Sequence, residues 1–323
     1  MSIFPIVLSL LLLMYLAYRG YTVLLLAPLM AALAVILSGE MGQLLPIYTH
    51  TFMPALGKYL LTFFPIFMLG ALFGQLMADS GAALTIAQWV QNVLGPRYAI
   101  LTVVLACALL TYGGVSLFVV AFAIYPIANS LFQDANVPKR LIAPAIALGS
   151  FTFTMTALPG SPAIQNAIPI PYFGTNTFAA PGLGLIGGVM MFGFGMLWLQ
   201  SRERAARRAG EGYGDNLDPD LEALGEVDAA PDPGSLRIIP LWLALLPLVL
   251  VVAINALFTY GIFPGVDWGF LHERFPDLDA EKQTGLWALI IALVASCLVM
   301  VLIGLRHWTN LKATINKGVL GSM

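Results

Sequence analysis

Two short polar breaks in otherwise apolar stretches carry the residues of this chain that could bind a ligand. The first lies within Thr111–Ser116 (TYGGVS) and the second within Thr154–Asn166 (TMTALPGSPAIQN). Glycines let a ligand approach backbone N–H groups, and a helix N-terminus carries about half a positive charge, which attracts anions. The two breaks therefore predict a site for a small anion, held by helix ends, hydroxyls and amides. The candidate substrate-binding residues are Thr111, Gly113, Gly114, Ser116, Thr154, Thr156, Gly160, Ser161, Gln165 and Asn166.

Local helix signals indicate how these breaks are built. Ser161 followed by Pro162 predicts a helix start, because serine is a favoured N-cap and proline a favoured first helical residue. At the first break we expect the second helical arm to begin at Val115. Ser150 and Thr152 precede the second break, and we expect their hydroxyls to bond the backbone or a neighbouring helix.

Other chemistry has little support in the sequence. Cys107 and Cys297 fall inside apolar runs, as small core residues do, and the three histidines are too scattered to form a ligand set. We therefore expect no metal site, no cofactor and no enzymatic activity. Glycines from Gly182 to Gly188 follow no strand, so they predict close helix packing rather than a nucleotide-binding loop.

Composition indicates the medium in which the protein folds. Of 323 residues, 59% are hydrophobic and only 10% are charged, against about 25% in soluble domains. Residues 141–201 contain no Asp, Glu, Lys or Arg. This excludes a soluble enzyme or a secreted domain, and the net charge of −2 gives no basic surface for nucleic acid. The chain is predicted to be an all-α polytopic membrane protein embedded in a lipid bilayer.

Apolar runs near the length of about 20 residues that a membrane helix needs predict seven crossings. The fourth run is interrupted by prolines and glycine, so we expect a broken helix whose break lines a site. The runs are Ile3–Tyr18, Tyr21–Ser38, Tyr59–Ala78, Leu141–Ile170, Leu183–Gln200, Ile238–Tyr260 and Leu286–Leu305.

Residues 98–132 are uncharged, too long for one crossing and barely long enough for two. With a break at Thr111–Ser116, each arm would reach only about 20–25 Å at 1.5 Å per residue. A re-entrant helical hairpin fits these lengths better than two full crossings, which remain the alternative.

Charge placement predicts the orientation. With a re-entrant hairpin, twelve of the 15 lysines and arginines fall on one side of the membrane, and only Lys58, Arg274 and Lys282 fall on the other. The positive-inside rule makes the first side cytoplasmic. We expect a multi-pass protein of the cell inner membrane, with its N-terminus outside and the polar segment 202–237 in the cytoplasm.

The segment 202–237 also predicts the division of the chain. Residues 1–201 would form a first repeat of five crossings plus the hairpin 98–132, and residues 202–237 a polar connector. Because five is odd, residues 238–323 would begin a second, inverted repeat with two spans and an interfacial stretch. The repeat would then be incomplete, so we expect either a fragment of a longer protein or a truncated product.

Asp79 ends the third predicted crossing and is one of few acidic residues near a span. We expect it to cap the following amphipathic stretch Ala82–Val93, the alternative being that it carries protons.

The runs Thr111–Phe132 (TYGGVSLFVVAFAIYPIANSLF) and Phe151–Thr175 (FTFTMTALPGSPAIQNAIPIPYFGT) resemble the gluconate permease (GntP) family, within the ion-transporter group of elevator-type carriers. The resemblance covers essentially the whole chain. It implies that the hairpin tip and the broken helix face each other around the substrate, and it suggests a homodimer. The family pattern's second hairpin and second broken helix have no counterpart in this sequence.

The resemblance further implies a secondary active transporter that takes up a small organic acid, such as gluconate or another hydroxy acid, by proton symport. A sodium-coupled di- or tricarboxylate carrier is the alternative within transport, since distant relatives couple to sodium. A membrane channel or a non-transporting scaffold fragment is the alternative outside it. A site without lysine or arginine favours a singly charged anion.

Overall fold

Apolar runs become helices in the part of the chain that the structure, a computed structural model, describes: residues 3–214, 239–272, 274–276, 278–304 and 310–321. Within these ranges there are many helices and no β-strand. The prediction of an all-α protein is therefore confirmed. The predicted inverted repeat, with its boundary between residues 201 and 238, stays a prediction.

The chain forms two compact units, Met1–Pro65 and Ile66–Met323. In the first unit, helices α1 (Ile3–Tyr18) and α2 (Val23–Leu37) pack against each other. They have 16 and 15 residues, about 24 and 23 Å at 1.5 Å per residue, which is shorter than a bilayer core of about 30 Å. The first two predicted crossings are thus helices, but short ones.

A continuous helical segment from Met41 to Asp79 leads from the first unit into the second. Its elements are α3 (Leu44–Ile47), a π-helical turn (Tyr48–Phe52) and α4 (Met53–Asp79). The second unit continues with α5 (Ala82–Leu94), α6 (Ala99–Tyr112), α7 (Leu117–Asp134), α8 (Ile142–Ser150), α9 (Phe153–Thr156), α10 (Ile164–Ala167), α11 (Ile170–Phe173), α12 (Pro181–Arg208), α13 (Leu241–Ala256), α14 (Gly269–His272), α15 (Ala280–Gly304) and α16 (Leu311–Leu320).

Four helical segments in the described part are long and apolar enough to cross a membrane: Met41–Asp79, Pro181–Arg208, Leu241–Gly265 and Ala280–Gly304. Each contains or overlaps one of the predicted crossings. Helix α5 and the following helical run Pro96–Tyr112 make a fifth such segment only if the two count as one crossing, and the chain bends by 99° between them. Several helices of this kind define a multi-pass membrane protein.

Helices α6 and α7 are the two arms of the predicted hairpin. They pack against each other and are separated by a four-residue break, Gly113–Ser116. The arms have 14 and 18 residues, or about 21 and 27 Å. The break lies where the sequence predicts it, and a re-entrant course through the membrane stays a prediction.

The run Leu141–Ile170, predicted as a broken crossing, contains no membrane-length helix. The chain passes from α8, which has nine residues, into three helices of four residues each, α9 to α11. Prolines at 159, 162 and 169 explain the breaks that separate α9, α10 and α11, because each removes a backbone donor and clashes with the preceding turn.

Asp79 does not cap α5, contrary to the prediction. The N-cap of α5 is Gly81, and the Ser80 hydroxyl accepts a bond from the Ala82 N–H at 3.3 Å. The Asp79 carboxylate instead accepts one bond from Gln75 Nε2 and one from Thr314 Oγ1, both 2.7 Å long. Asp79 thereby ties α16 to the end of α4.

A group of contacts, here named the clasp, fixes the chain just after α12 to the loop between α7 and α8. Arg140 donates two hydrogen bonds to Glu211, at 2.6 and 2.7 Å, and the Tyr213 N–H donates to Asn136 Oδ1 at 2.9 Å. The Tyr213 hydroxyl bonds the Asn129 side chain on α7. The start of the predicted connector 202–237 is therefore helical and docked, and its remainder from residue 215 lies outside the described residues.

The ion pair in the clasp predicts that the stability of the clasp depends on pH. The Arg140 guanidinium, through its hydrogen bonds, lowers the pKa of Glu211 in the folded protein. A lowered folded-state pKa stabilises the clasp above the unfolded pKa of about 4, and this stabilisation is lost as the pH falls through the folded value. Glu211→Gln should therefore speed hydrogen exchange at the Tyr213 amide severalfold near neutral pH and little in acid. Equal exchange rates in both proteins at neutral pH would contradict the expectation.

Candidate functional site

The tip of the α6–α7 hairpin is a tight turn. The Gly114 N–H bonds the Thr111 carbonyl oxygen at 3.0 Å, and the Val115 N–H bonds the Leu110 carbonyl oxygen at 3.1 Å. Gly114 has φ of +96°, a conformation that other residues rarely adopt. Helix α7 begins at Leu117 rather than at the predicted Val115, with Ser116 as its N-cap but without a side-chain capping bond.

Threonines just before and at the start of the second break bond backbone carbonyls. Thr152 Oγ1 donates to Leu148 O at 2.7 Å, Thr154 Oγ1 to Gly149 O at 2.8 Å, and Thr156 Oγ1 to Thr152 O at 3.2 Å. The expectation for Thr152 is confirmed. Ser150 differs from these threonines, because its buried hydroxyl bonds no backbone carbonyl within the described residues.

The second break is held by Thr177, which lies ahead of α12. The Thr177 carbonyl oxygen accepts a bond from the Gly160 N–H at 2.8 Å and one from Asn166 Nδ2 at 3.0 Å. Asn166 Nδ2 also reaches the Ser161 carbonyl oxygen at 2.9 Å. Gly160 has φ of +79°, and the Phe178 ring occupies the space beside it.

The predicted helix start at Ser161 and Pro162 is wrong. Helix α10 begins at Ile164 with Ala163 as its N-cap, and it ends after four residues, ahead of Pro169. Ser161 is fully buried, and its hydroxyl accepts a 3.4 Å bond from the Ala163 N–H. A helix this short has few aligned peptide dipoles, so the field of a half-helix N-terminus is absent here.

The two breaks touch each other. Tyr112 Oη, at the end of α6, donates a 2.8 Å hydrogen bond to the Pro159 carbonyl oxygen. A Cβ on Gly114 would lie 2.6 Å from Pro162 Cγ, so the backbone of the tip rests directly on the second break. Residues 47 and 48 positions apart in sequence are thus brought into contact.

Helices that follow the connector pack against this arrangement. The side chain of Leu248 on α13 occupies the space beside Gly113. Gly285 on α15 fits closely against the Ile170 side chain and the Thr175 carbonyl oxygen. The helices after the connector therefore contact the hairpin tip and the segment that follows the second break.

The candidate residues divide by exposure. Thr111, Gly113, Thr154, Gly160 and Ser161 are buried, and the Thr111 hydroxyl makes no hydrogen bond within the described residues. A second group has open or half-open surface and could reach a ligand directly: Gly114, Ser116, Thr156, Gln165 and Asn166.

Sequence reasoning missed Tyr112 and Thr177 as parts of this site. Tyr112 lies between two candidate residues, so its place in the motif was the available signal. Thr177 has no such signal, because its role comes from its carbonyl group and from the return of the chain after α11. In the described residues, no group of three or more His, Cys, Asp or Glu side chains could hold a metal ion.

The fold and the site define a multi-pass helical membrane protein whose interrupted helices meet at polar breaks, an arrangement typical of transporters. The family model described as GntP family permease matches residues 1–260. The chain belongs to the GntP permease family. It is similar to "Uncharacterized transporter YxjC" of Bacillus subtilis (strain 168), with 42% identity over 329 residues that cover 100% of this chain and 69% of the relative. No solved structure matches the chain.

Proposed function

We propose that this transporter takes up a small organic acid, gluconate or a similar hydroxy acid, by proton symport. The contact between the hairpin tip and the second break, through Tyr112–Pro159 and Gly114–Pro162, is the observation that carries the proposal. It brings the polar residues of two distant segments to one place, as a substrate site between discontinuous helices requires.

The chemistry around this contact favours a singly charged hydroxy acid. The hairpin arms contain no basic residue between Ala99 and Asp134, and none follows from Leu141 to Ser201. The available donors are neutral: the Ser116 hydroxyl, the Gln165 amide and backbone N–H groups at the start of α7. Thr156 Oγ1 and Asn166 Nδ2 already donate to backbone carbonyls, so these two residues offer a ligand oxygen acceptors. Hydroxyl groups of the substrate can pair with amide oxygens, whereas two or three carboxylates would lack compensating charge.

Uptake into proteoliposomes tests the proposal. The full-length protein should accumulate labelled gluconate above the external concentration when the lumen is alkaline, and a protonophore should abolish accumulation. Accumulation driven only by an inward sodium gradient would support the sodium-coupled alternative. Equilibration without accumulation under either gradient would indicate a channel, and no movement of gluconate would refute this substrate.

We further propose that the N-terminus faces the outside of the inner membrane and that the clasp faces the cytoplasm. A cysteine at the exposed position Ala209, in Ala209→Cys, should resist an impermeant thiol reagent added to whole cells and react after permeabilisation. The native thiols of Cys107 and Cys297 are buried and give a low background. Ready labelling in intact cells would reverse the orientation.

A further inference from the structure

An amide side chain is fully buried in the apolar helix α13. Asn255 has 0% of its surface exposed, and the residues around it read VVAINALF. A buried amide destabilises a protein unless it is hydrogen-bonded. Asn255 Nδ2 donates a 2.7 Å bond to Thr177 Oγ1, and Asn255 Oδ1 accepts a longer bond of 3.4 Å from Thr259 Oγ1.

The partner of Asn255 is the residue that holds the second break. Thr177 is 1% exposed, and its carbonyl oxygen accepts the bonds from the Gly160 N–H and from Asn166 Nδ2. The hydroxyl of Thr177 faces Asn255, while its carbonyl faces the site. The orientation of one residue therefore links α13 to the candidate ligand-binding residue Asn166.

A single face of helix α13 contacts the hairpin tip and Thr177, the residue that holds the second break. Leu248, which packs beside Gly113 of the hairpin tip, precedes Asn255 by seven residues, or two helical turns. Directly after Asn255 the helix widens into the π-helical segment Leu257–Ile262, which contains Thr259. Widened turns of this kind often occur at functional sites.

From this network we propose that Asn255 is a positioning residue of the substrate site. It fixes Thr177 and, through Thr177, the Asn166 amide, whose Oδ1 is left to accept a hydrogen bond from a substrate hydroxyl. The identity of the substrate in this proposal rests on the proposed function. The linkage of Asn255 to the second break is independent of that function.

The kinetic test removes the Asn255–Thr177 bond from either side in the full-length protein. Asn255→Leu and Thr177→Val should each raise the KM for gluconate about tenfold, as expected for loss of one buried bond. The maximal rate per folded transporter should change less than about twofold. The double variant should be no worse than either single variant, because both remove the same bond.

Two controls separate positioning from general destabilisation. Thr177→Ser keeps the hydroxyl and should restore the KM to near the wild-type value. Ser296→Ala removes another fully buried hydroxyl, on α15, and should leave the KM unchanged. A fall in maximal rate and melting temperature with an unchanged KM would overturn the proposal. If Asn255→Leu fails to fold, the comparison of Thr177→Val with Thr177→Ser tests the proposal by itself.

A labelling readout is independent of the substrate. Gln165 is exposed on α10 beside Asn166, so the thiol of Gln165→Cys reports the placement of this segment. Thr177→Val should change its labelling rate several-fold, and Ser296→Ala should not. If wild-type protein fails to move gluconate but labelling responds in this way, the proposed substrate fails and the positioning role stands. Unchanged labelling together with an unchanged KM would refute the role.

Discussion

Gly114→Ala should lower the uptake efficiency, kcat/KM, at least tenfold while leaving membrane insertion intact. The added Cβ would lie 2.6 Å from Pro162 Cγ, and the backbone at Gly114 has φ of +96°. The left-handed conformation alone costs an alanine about 1–2 kcal/mol, and relief of the contact would push the hairpin tip away from the second break. Uptake normalised to the amount of protein in the membrane measures the effect.

Gly20→Ala is the matched control for the backbone strain that an alanine introduces at a positive φ. Gly20 has a similar φ of +91°, but no atom of the described residues lies within 4 Å of its added Cβ. This variant should share the strain and keep the uptake efficiency of the wild type. Equal losses in the two variants would show that strain, rather than contact between the breaks, causes the effect.

Gly184→Ala should destabilise the fold by about 1–3 kcal/mol, the usual effect of overpacking. Gly184 lies on α12 where the helix crosses α9, and a Cβ there would fall on the Ala157 carbonyl oxygen. The helix must move away from the second break to make room. The melting temperature of the purified protein should fall by several degrees.

Gly187→Ala provides the comparison on the same helix. Nothing in the described part lies within 4 Å of a Cβ at this position, and alanine is the better helix former by up to about 1 kcal/mol. Its melting temperature should match or exceed that of the wild type. A Gly184→Ala protein as stable as Gly187→Ala would refute the proposed close packing of α12 on the second break.

Much of the architecture could be predicted from the sequence because membrane helices are specified locally. Apolar length places Pro181–Arg208 and Ala280–Gly304, and paired glycines between two apolar arms place the break at Gly113. The same reasoning failed at Ser161, where a favourable cap and a following proline predict a helix start at Pro162, but the helix begins at Ile164 and ends ahead of Pro169. Where a helix-start signal and a helix-breaking proline lie close together, the sequence alone does not show which of them decides the structure.

The site could be predicted only in outline. Polar residue types marked both breaks, but burial decides which of them can meet a ligand, and burial depends on contacts between distant segments. Thr154 is enclosed and bonds Gly149, whereas Gln165 is exposed. Asn255 bonds a residue 78 positions away, a pairing that no spacing in the sequence indicates.

The clasp constrains which parts of the molecule can move together. It joins the far end of α7 to the end of α12 through Arg140–Glu211, Asn136–Tyr213 and the Asn129–Tyr213 side-chain bond. A swing of the hairpin away from α12 would have to break all of these bonds at once. We therefore expect the hairpin and the end of α12 to move together as one rigid unit.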